Sequence, residues 1–120
     1  MKYLIDTNIV IYYLNGDTLA IDFIDKNIDS CAISIITYLE VLVYPYSKEE
    51  EKIVRDFLEL FKIYNIDMNI TNSAIESFRN KRIKIADNLI GSTAKCNGLT
   101  LVTRNVSDFK GIEVDILNLY

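Results

Sequence analysis

The sequence predicts an α/β fold, a three-layer α/β/α domain built on a parallel sheet of about five strands. Short apolar segments without polar alternation recur along the chain, which is typical of parallel strands buried on both faces. Segments with helical periodicity separate them and predict helical crossovers from strand to strand. The chain has 120 residues, half of them hydrophobic, and a single Pro. This length and composition favour one domain over residues 1–120 with one core.

The first half of the chain begins with a predicted buried strand at Lys2–Ile5 and a helix from about residue 8 to residue 14. After the turn pattern Asn15-Gly16-Asp17, Asp17 can cap a second helix that runs to about residue 27. The apolar side of this helix is predicted to consist of Leu19, Ile21, Phe23, Ile24 and Ile28. A second strand is predicted at Cys31–Ile35. The helix over Ile36–Val43 is apolar on most faces, so we expect it to be buried until Pro45 ends it.

The second half opens with Ser47 and Glu50 at the spacing of a capping box. They predict a helix to about residue 61 with an apolar stripe of Ile53, Phe57, Leu60 and Phe61. The remaining predicted elements are a weaker third strand at Lys62–Ile66, helices at Thr71–Arg82 and Ala86–Asn97, and strands at Leu99–Val102 and Val114–Leu117. Ala74, Ile75 and Phe78 form one side of the first of these helices, and Gly98 closes the second.

The residue types limit the available chemistry. The chain has no His, which excludes a Ser-His-Asp triad, a Cys-His pair and a His-ligated zinc site. Carboxylates and other oxygen ligands favour hard cations such as Mg²⁺ or Mn²⁺. Cys31 and Cys96 lie in apolar segments, so we expect two buried thiols in the reducing cytoplasm. No apolar run reaches the length of a membrane-spanning helix, and Asp6 interrupts the first one too early for a signal peptide.

Four acidic residues are predicted to meet at one edge of the sheet. Asp6 ends the first strand, and Glu40 lies about one turn into the helix after the second. Asp87 lies in the first turn of the helix that leads into the fourth strand, and Asp108 follows that strand. In a right-handed parallel α/β sheet these places share the carboxyl edge, where ligands bind. Clustered carboxylates in apolar surroundings repel one another unless a divalent cation lies between them, so the pattern predicts a metal site.

Each acid alone also has a structural explanation. Asp6 or Asn8 could cap a helix, Asp87 could interact with the helix dipole, and Asp108 could belong to an Asx turn. Glu40 has no such local role, and its own helix contains no Lys or Arg to neutralise it. The four together favour the metal site, with Asp6 as a ligand on the rigid end of a strand and capping left to Thr7 or Asn8.

The segments LIDTNIVIYYL, ITYLEVLVYP and ADNLIGSTAKCNGLTLVTRNVSDFKGI resemble the PIN domain, specifically the small VapC-type toxins of toxin–antitoxin systems. The resemblance covers essentially the whole chain. It implies a five-stranded parallel sheet, ribonuclease activity that depends on one or two Mg²⁺ or Mn²⁺ ions, dimerisation, and inhibition by a small antitoxin protein. By position, it implies a catalytic and metal-binding set of Asp6, Glu40, Asp87 and Asp108, with Thr7 or Asn8, Thr103 and Asn105 as polar support.

The chain departs from the family pattern at two places. Val43-Tyr44-Pro45 stands where many relatives carry a Gly after the Glu motif, and the stretch before Asp87 lacks an additional acid that some relatives have. The chain is also slightly short for the group. These departures concern the choice of substrate and local loops more than the metal site.

Basic residues near two of the acids are candidates for contact with RNA. The net charge is −4, but if four acids belong to a metal site, the other 13 acids equal the 13 Lys and Arg residues. The candidates are Arg79, Lys81, Arg82 and Lys84 before Asp87, and Arg104 and Lys110 around the last motif. We expect them to contact backbone phosphates; a solvated helix end is the alternative.

Two other functions suit a small α/β fold. A receiver-type phosphorylation domain needs an acidic pair after the first strand and a phospho-accepting Asp on a later one, and this chain has the single Asp6 and no suitable later Asp. The second alternative is a degenerate PIN-like module that binds RNA or a partner without catalysis. The intact acidic set argues against it.

Overall fold

The computed structural model describes all 120 residues and is built on one five-stranded sheet. The strands are Tyr3–Ile5 (β1), Cys31–Ser34 (β2), Lys62–Tyr64 (β3), Thr100–Val102 (β4) and Ile116–Leu117 (β5). They are arranged in the order β3-β2-β1-β4-β5, and every neighbouring pair is parallel. The predicted fold class is therefore confirmed, with β1 at the centre of the sheet.

Six α-helices form the connections. They are Thr7–Leu14 (α1), Thr18–Asn27 (α2), Ile35–Leu42 (α3), Lys48–Leu58 (α4), Met68–Asn80 (α5) and Ile85–Cys96 (α6). Consecutive pairs of them join β1 to β2, β2 to β3 and β3 to β4, and a 3-10 turn at Val106–Phe109 lies between β4 and β5. A second 3-10 turn, Ile28–Ser30, precedes β2. The longest helix has 13 residues, and none of the helices could span a membrane.

The two faces of the sheet bury two hydrophobic clusters, because successive strand side chains point to opposite faces. Ile5 packs in one cluster with Ile9 of α1 and Leu58 of α4. Its neighbour Leu4 packs in the other cluster with Ile90 of α6 and with Phe109. β1 is thus covered on both faces, which explains why its segment is apolar throughout.

Several element boundaries differ from the prediction. α5 begins at Met68 instead of Thr71, because Asp67 is its N-cap and accepts a hydrogen bond from the peptide N–H of Ile70 at 2.8 Å. α4 ends at Leu58, three residues early, and β3 and β5 are shorter than predicted. Neither 3-10 turn was predicted, since such short turns lack a periodic pattern.

The buried faces of the helices were predicted less well than the helices themselves. The helix α3, expected to be buried, buries only Thr37 and Val41, and Val43 beyond its end is 70% exposed. The stripe of α4 is Val54 and Leu58, continued by Phe61, whereas Ile53 is 67% exposed. In α2, Ala20 and Ile24 are buried, whereas Leu19 is exposed. In α5, the buried residues are Ile70, Ala74 and Ser77, whereas Ile75 and Phe78 are partly exposed. Ile24, Ala74 and Phe61 are buried as predicted, but most of the other buried residues of α2, α4 and α5 lie next to the predicted ones. Cys31 is buried as predicted, but Cys96, at the end of α6, is exposed.

Candidate active site

Asp6 lies directly after β1 and is held from both sides. Its peptide N–H donates to the carbonyl of Val102 at 2.9 Å, which joins it to the end of β4. Oδ1 accepts a hydrogen bond from the peptide N–H of Thr7 at 2.8 Å, and Oδ2 accepts one from the hydroxyl of Thr103 at 2.7 Å. The residue is 5% exposed. Its carboxylate therefore has a fixed orientation at the carboxyl ends of two adjacent strands.

Asp6 also occupies the N-cap position of α1. The assignment of capping to Thr7 or Asn8 was therefore wrong, because the helix begins immediately after the strand and Asp6 is the last residue with extended backbone angles. Burial raises the pKa of Asp6 to about 6, and the charges of Asp87 and Glu40 add to the rise. The hydrogen bonds from Thr103 and Thr7 oppose it. A cap alone does not require a carboxylate in such surroundings, since Ser, Thr and Asn cap without charge.

Glu40 lies in the second turn of α3 and is partly buried. Its Oε1 accepts a hydrogen bond from the hydroxyl of Thr7 at 2.7 Å. Thr7 therefore contacts two predicted site residues, Asp6 through its peptide N–H and Glu40 through its hydroxyl. This single residue connects the end of β1 to α3.

Asp87 of α6 and Asp108 of the 3-10 turn after β4 line the same cleft. Burial raises the pKa of Asp87, with further contributions from the charges of Asp108 and Glu40 and an opposing one from Lys84. Asp108 is exposed. A Cβ at Gly91 would lie 2.6 Å from the side chain of Ile112 and 3.2 Å from that of Phe109, so glycine allows the turn that carries Asp108 to lie against α6.

The structure thus brings the predicted acids near one another, since the charges of Asp87 and Glu40 act on Asp6 and Asp108 lines the same cleft as Asp87. They do not form a finished metal centre, since no three acidic side chains are grouped closely enough to hold one ion. The donor chemistry nevertheless fits a hard divalent cation, because all four are carboxylates and two of them are disfavoured as anions. The assignment of metal ligands stays a prediction.

The predicted polar support is arranged in different ways. Thr103 is fully buried, bonds to Asp6, and accepts a hydrogen bond from the peptide N–H of Asn105 at 3.1 Å. The Asn105 side chain is exposed. Asn8 has both side-chain polar atoms buried without a hydrogen-bond partner in the protein. Buried amides are normally paired, so this unpaired group, two residues after Asp6, also fits a site that binds a polar ligand or ion.

The predicted basic residues separate into two groups. Lys81, Arg82, Lys84 and Lys110 line a cleft of about 180 Å³ that also contains Asp87 and Asp108. Arg79 instead lines an apolar cleft between α5 and α6. The guanidinium of Arg104 lies 4.6 Å from the ring centre of Tyr120 and 5.8 Å from that of Tyr12, outside the acidic cleft.

Two features of the site region have no clear signal in the sequence. One is Thr37, which is fully buried and bonds to the Thr7 hydroxyl. The other is a groove of about 770 Å³ between α1, α3 and α4, with Glu40 in its wall. Its apolar lining includes Ile11, Leu14, Val41, Val43, Tyr44, Tyr46, Ile53 and Val54. Exposed apolar residues on three helices could have indicated this groove only if the buried faces had been predicted correctly.

Comparisons with known proteins agree with this fold. The family model of the PIN domain matches residues 3–113. A toxin-antitoxin complex from Klebsiella pneumoniae contains a chain 33% identical to this one, with a TM-score of 0.88 over 99% of this chain and 98% of that one. A chain of VapBC2 from Rickettsia felis, bound to a DNA fragment from their promoter, is 27% identical, with a TM-score of 0.81 over 98% of both chains. The DNA-bound VapBC from Salmonella typhimurium, at 21% identity, shares the fold, with a TM-score of 0.88 over 100% and 99% of the chains. No curated protein is significantly similar in sequence.

Proposed function

The chain belongs to the PIN-domain family as a VapC-type member, and from this premise we propose that it is a divalent-metal-dependent endoribonuclease and the toxin of a toxin–antitoxin pair. The observation that carries the proposal is the acidic edge. Asp6 is buried at the end of the central strand with its pKa raised to about 6, and the charges of Asp87 and Glu40 add to the rise, while the charge of Asp108 acts on Asp87. Such a set of charges favours a bound cation.

The chain's own residues have distinct tasks in the proposed reaction. Asp6, Asp87 and Asp108 would hold one or two ions of Mg²⁺ or Mn²⁺, and Glu40 would hold an ion or orient the attacking water. When bound, such ions offset the charge of the scissile phosphate and lower the pKa of water. Thr7 and Thr103 fix the orientation of the carboxylates to which they donate.

The cleft beside Asp87 and Asp108 provides the positive charge that an anionic substrate requires. Lys81, Arg82 and Lys84 come from the connection between α5 and α6, and Lys110 comes from the end of the 3-10 turn. All four side chains are exposed and none of them forms an ion pair within 4 Å. They are therefore free to contact the phosphates of a single strand that approaches the acidic edge.

A partner protein is part of the same proposal. The relatives from Klebsiella pneumoniae and Rickettsia felis were solved as complexes. In this chain, the apolar groove with Glu40 in its wall offers a surface on which an antitoxin segment could cover the site. We propose in addition that two copies of the chain form a homodimer. The molecular mass of the isolated protein from analytical ultracentrifugation would test this.

The test is to sequence RNA ends after incubation of total RNA with the protein in Mg²⁺, in Mn²⁺ and in EDTA. We expect new ends at defined positions with either ion and none in EDTA. Asp6→Asn, which changes the volume little, should remove them, whereas Asp22→Asn, at an exposed acid of α2, should not. Intact RNA with the wild-type protein would favour the non-catalytic binding module, and cleavage by Asp6→Asn at the wild-type rate would refute the assignment of the site.

A further inference from the structure

We infer that Thr37, which does not face the cleft, is a positioning residue that sets the place of the Glu40 carboxylate through the hydroxyl of Thr7. This inference rests on the proposed function for its catalytic consequence. The hydrogen-bond arrangement itself is a property of the folded chain and does not depend on the proposed function.

Three side chains form one hydrogen-bonded chain. The oxygen of the Thr37 hydroxyl lies 2.9 Å from that of the Thr7 hydroxyl, and the Thr7 hydroxyl lies 2.7 Å from Oε1 of Glu40. Thr37 and Glu40 are three residues apart on α3, so they lie on the same side of this helix. Thr7, the first residue of α1, bonds to both of them.

Counting protons fixes the direction of this chain. A hydroxyl has one proton to donate, and an ionised carboxylate can only accept. The proton of Thr7 is therefore committed to Glu40, and Thr7 must be the acceptor in its bond with Thr37. Thr37 is fully buried, so its own proton has no access to solvent as an alternative. The direction is Thr37 to Thr7 to Glu40, and each hydroxyl has a defined rotor position.

The consequence for the site lies in the two contacts of Thr7. Its hydroxyl bonds to Glu40 and its peptide N–H bonds to Asp6, so the orientation of Thr7 relates these two carboxylates to each other. Without the Thr37 donor, the Thr7 hydroxyl loses the partner that holds it toward Glu40, and Glu40 gains freedom to adopt other rotamers. Preorganised carboxylates matter for hydrolysis because small displacements of a positioned group reduce the rate.

The test compares three buried substitutions. Thr37→Val removes the hydroxyl and keeps the shape, whereas Thr37→Ser keeps the hydroxyl and removes a methyl group. Thr93→Val is the matched control, because Thr93 is also fully buried but donates to the Leu89 carbonyl within α6. We expect Thr37→Val to reduce kcat about tenfold and to weaken Mn²⁺ binding in calorimetry several-fold. Thr37→Ser and Thr93→Val should stay within about twofold of the wild type in both.

Stability separates positioning from a purely structural role. Thr37→Ser leaves a methyl-sized void and Thr37→Val leaves the Thr7 hydroxyl without its donor, so both variants should lose about 1 kcal/mol of stability, whereas only Thr37→Val should lose activity. If activity instead follows stability, or if Thr37→Val cleaves RNA and binds Mn²⁺ like the wild type, the inference is wrong.

A metal-free measurement keeps the inference apart from the proposed function. We expect the ¹³C chemical shift of the Glu40 carboxyl carbon at a single pH to change in Thr37→Val and to stay in place in Thr37→Ser and Thr93→Val. A changed shift in a protein that never cleaves RNA would support the positioning role and reject the ribonuclease. An unchanged shift in Thr37→Val would reject the positioning role whatever the wild-type protein does.

Discussion

Replacing Asp6 by Asn is expected to stabilise the metal-free protein at neutral pH while it abolishes cleavage. Burial raises the pKa of Asp6 to about 6 from an ordinary value of 3.8. The folded state therefore binds this proton more tightly than the unfolded state does. As the pH rises from about 4 to about 6 the unfolded chain loses its proton first, so the stability of the folded state falls through this range and stays low above it.

The size of the effect follows from the two pKa values. A difference of about two pKa units lowers the free energy of unfolding of the wild-type protein by about 3 kcal/mol at pH 7.5. The Asn variant does not have this loss, because its side chain carries no charge. The side-chain oxygen of Asn can still accept a hydrogen bond from the peptide N–H of Thr7. Its amide nitrogen then lies beside the Thr103 hydroxyl and cannot accept the hydrogen bond that the Asp6 carboxylate accepts. That mismatch costs about 1–2 kcal/mol. The expected net gain at pH 7.5 is therefore about 1–2 kcal/mol.

Urea unfolding in EDTA between pH 3.5 and 8 measures this directly. At pH 3.5 the carboxyl group is mostly protonated in both states, so mainly the mismatch remains and Asp6→Asn should be the less stable protein. The two stability curves should therefore cross between pH 4 and 7.5. Asp22→Asn, at an exposed residue, serves as the control and should show no crossing. If the wild-type protein is more stable than Asp6→Asn at every pH, then the charged form of Asp6 is not disfavoured in the folded state. The electrostatic argument for a cation at this site would then be wrong.

Three further perturbations test separate parts of the site. Thr103→Val removes a hydrogen bond to the Asp6 carboxylate, so we expect the pKa of Asp6 to rise further, as followed by NMR of its carboxyl carbon, and the cleavage rate to fall about tenfold. The double variant Lys81→Ala and Arg82→Ala should make the slope of log binding constant against log salt concentration for RNA shallower by about 1.4. The control variant Lys26→Ala with Lys95→Ala should leave this slope unchanged. An unchanged slope in the Lys81 and Arg82 variant would show that the cleft does not contact RNA. Gly91→Ala should cost roughly 1 kcal/mol of stability, since the crowding of Ile112 and Phe109 exceeds the gain in helix propensity; a more stable variant would contradict the close approach of the 3-10 turn to α6.

The parallel sheet and the acidic edge could be predicted because they depend on features that the sequence encodes directly. Uninterrupted apolar segments at β1, β2 and β4 indicate buried parallel strands, and the right-handed crossover rule then assigns Asp6, Glu40 and Asp87 to one edge. Helix positions follow from caps, and the Ser47–Glu50 capping box is present with both of its hydrogen bonds. These signals are local or follow from topology, so they can be recognised in the sequence without knowledge of the packing.

The buried faces and the hydrogen-bond partners could not be predicted in the same way. In α4, Ile53 and Val54 are adjacent apolar residues, and only the direction from which the sheet approaches decides that Val54 is the buried one. The bond between Thr7 and Glu40 joins residues 33 positions apart in sequence, and no periodicity relates them. In the sequence, Thr37 is only a polar residue in a largely apolar helix, because its role exists only once α1 and α3 are packed together.

The place of the site follows from the order of the strands more than from any one motif. The chain moves outward from β1 through β2 to β3 and then returns to the other side of β1 to form β4 and β5. The connections from β1 and from β4 therefore leave the sheet in opposite directions, and a crevice opens between the carboxyl ends of these two strands. Asp6 and Thr103 each follow one of these strands and bond across the crevice. The edge strands β3 and β5 contribute none of the four acids, which come from β1 and from segments adjacent to β2 and β4. A substitution that weakens the pairing of β1 with β4 should therefore impair the site more than an equally destabilising one at β3, even though it touches none of the acids.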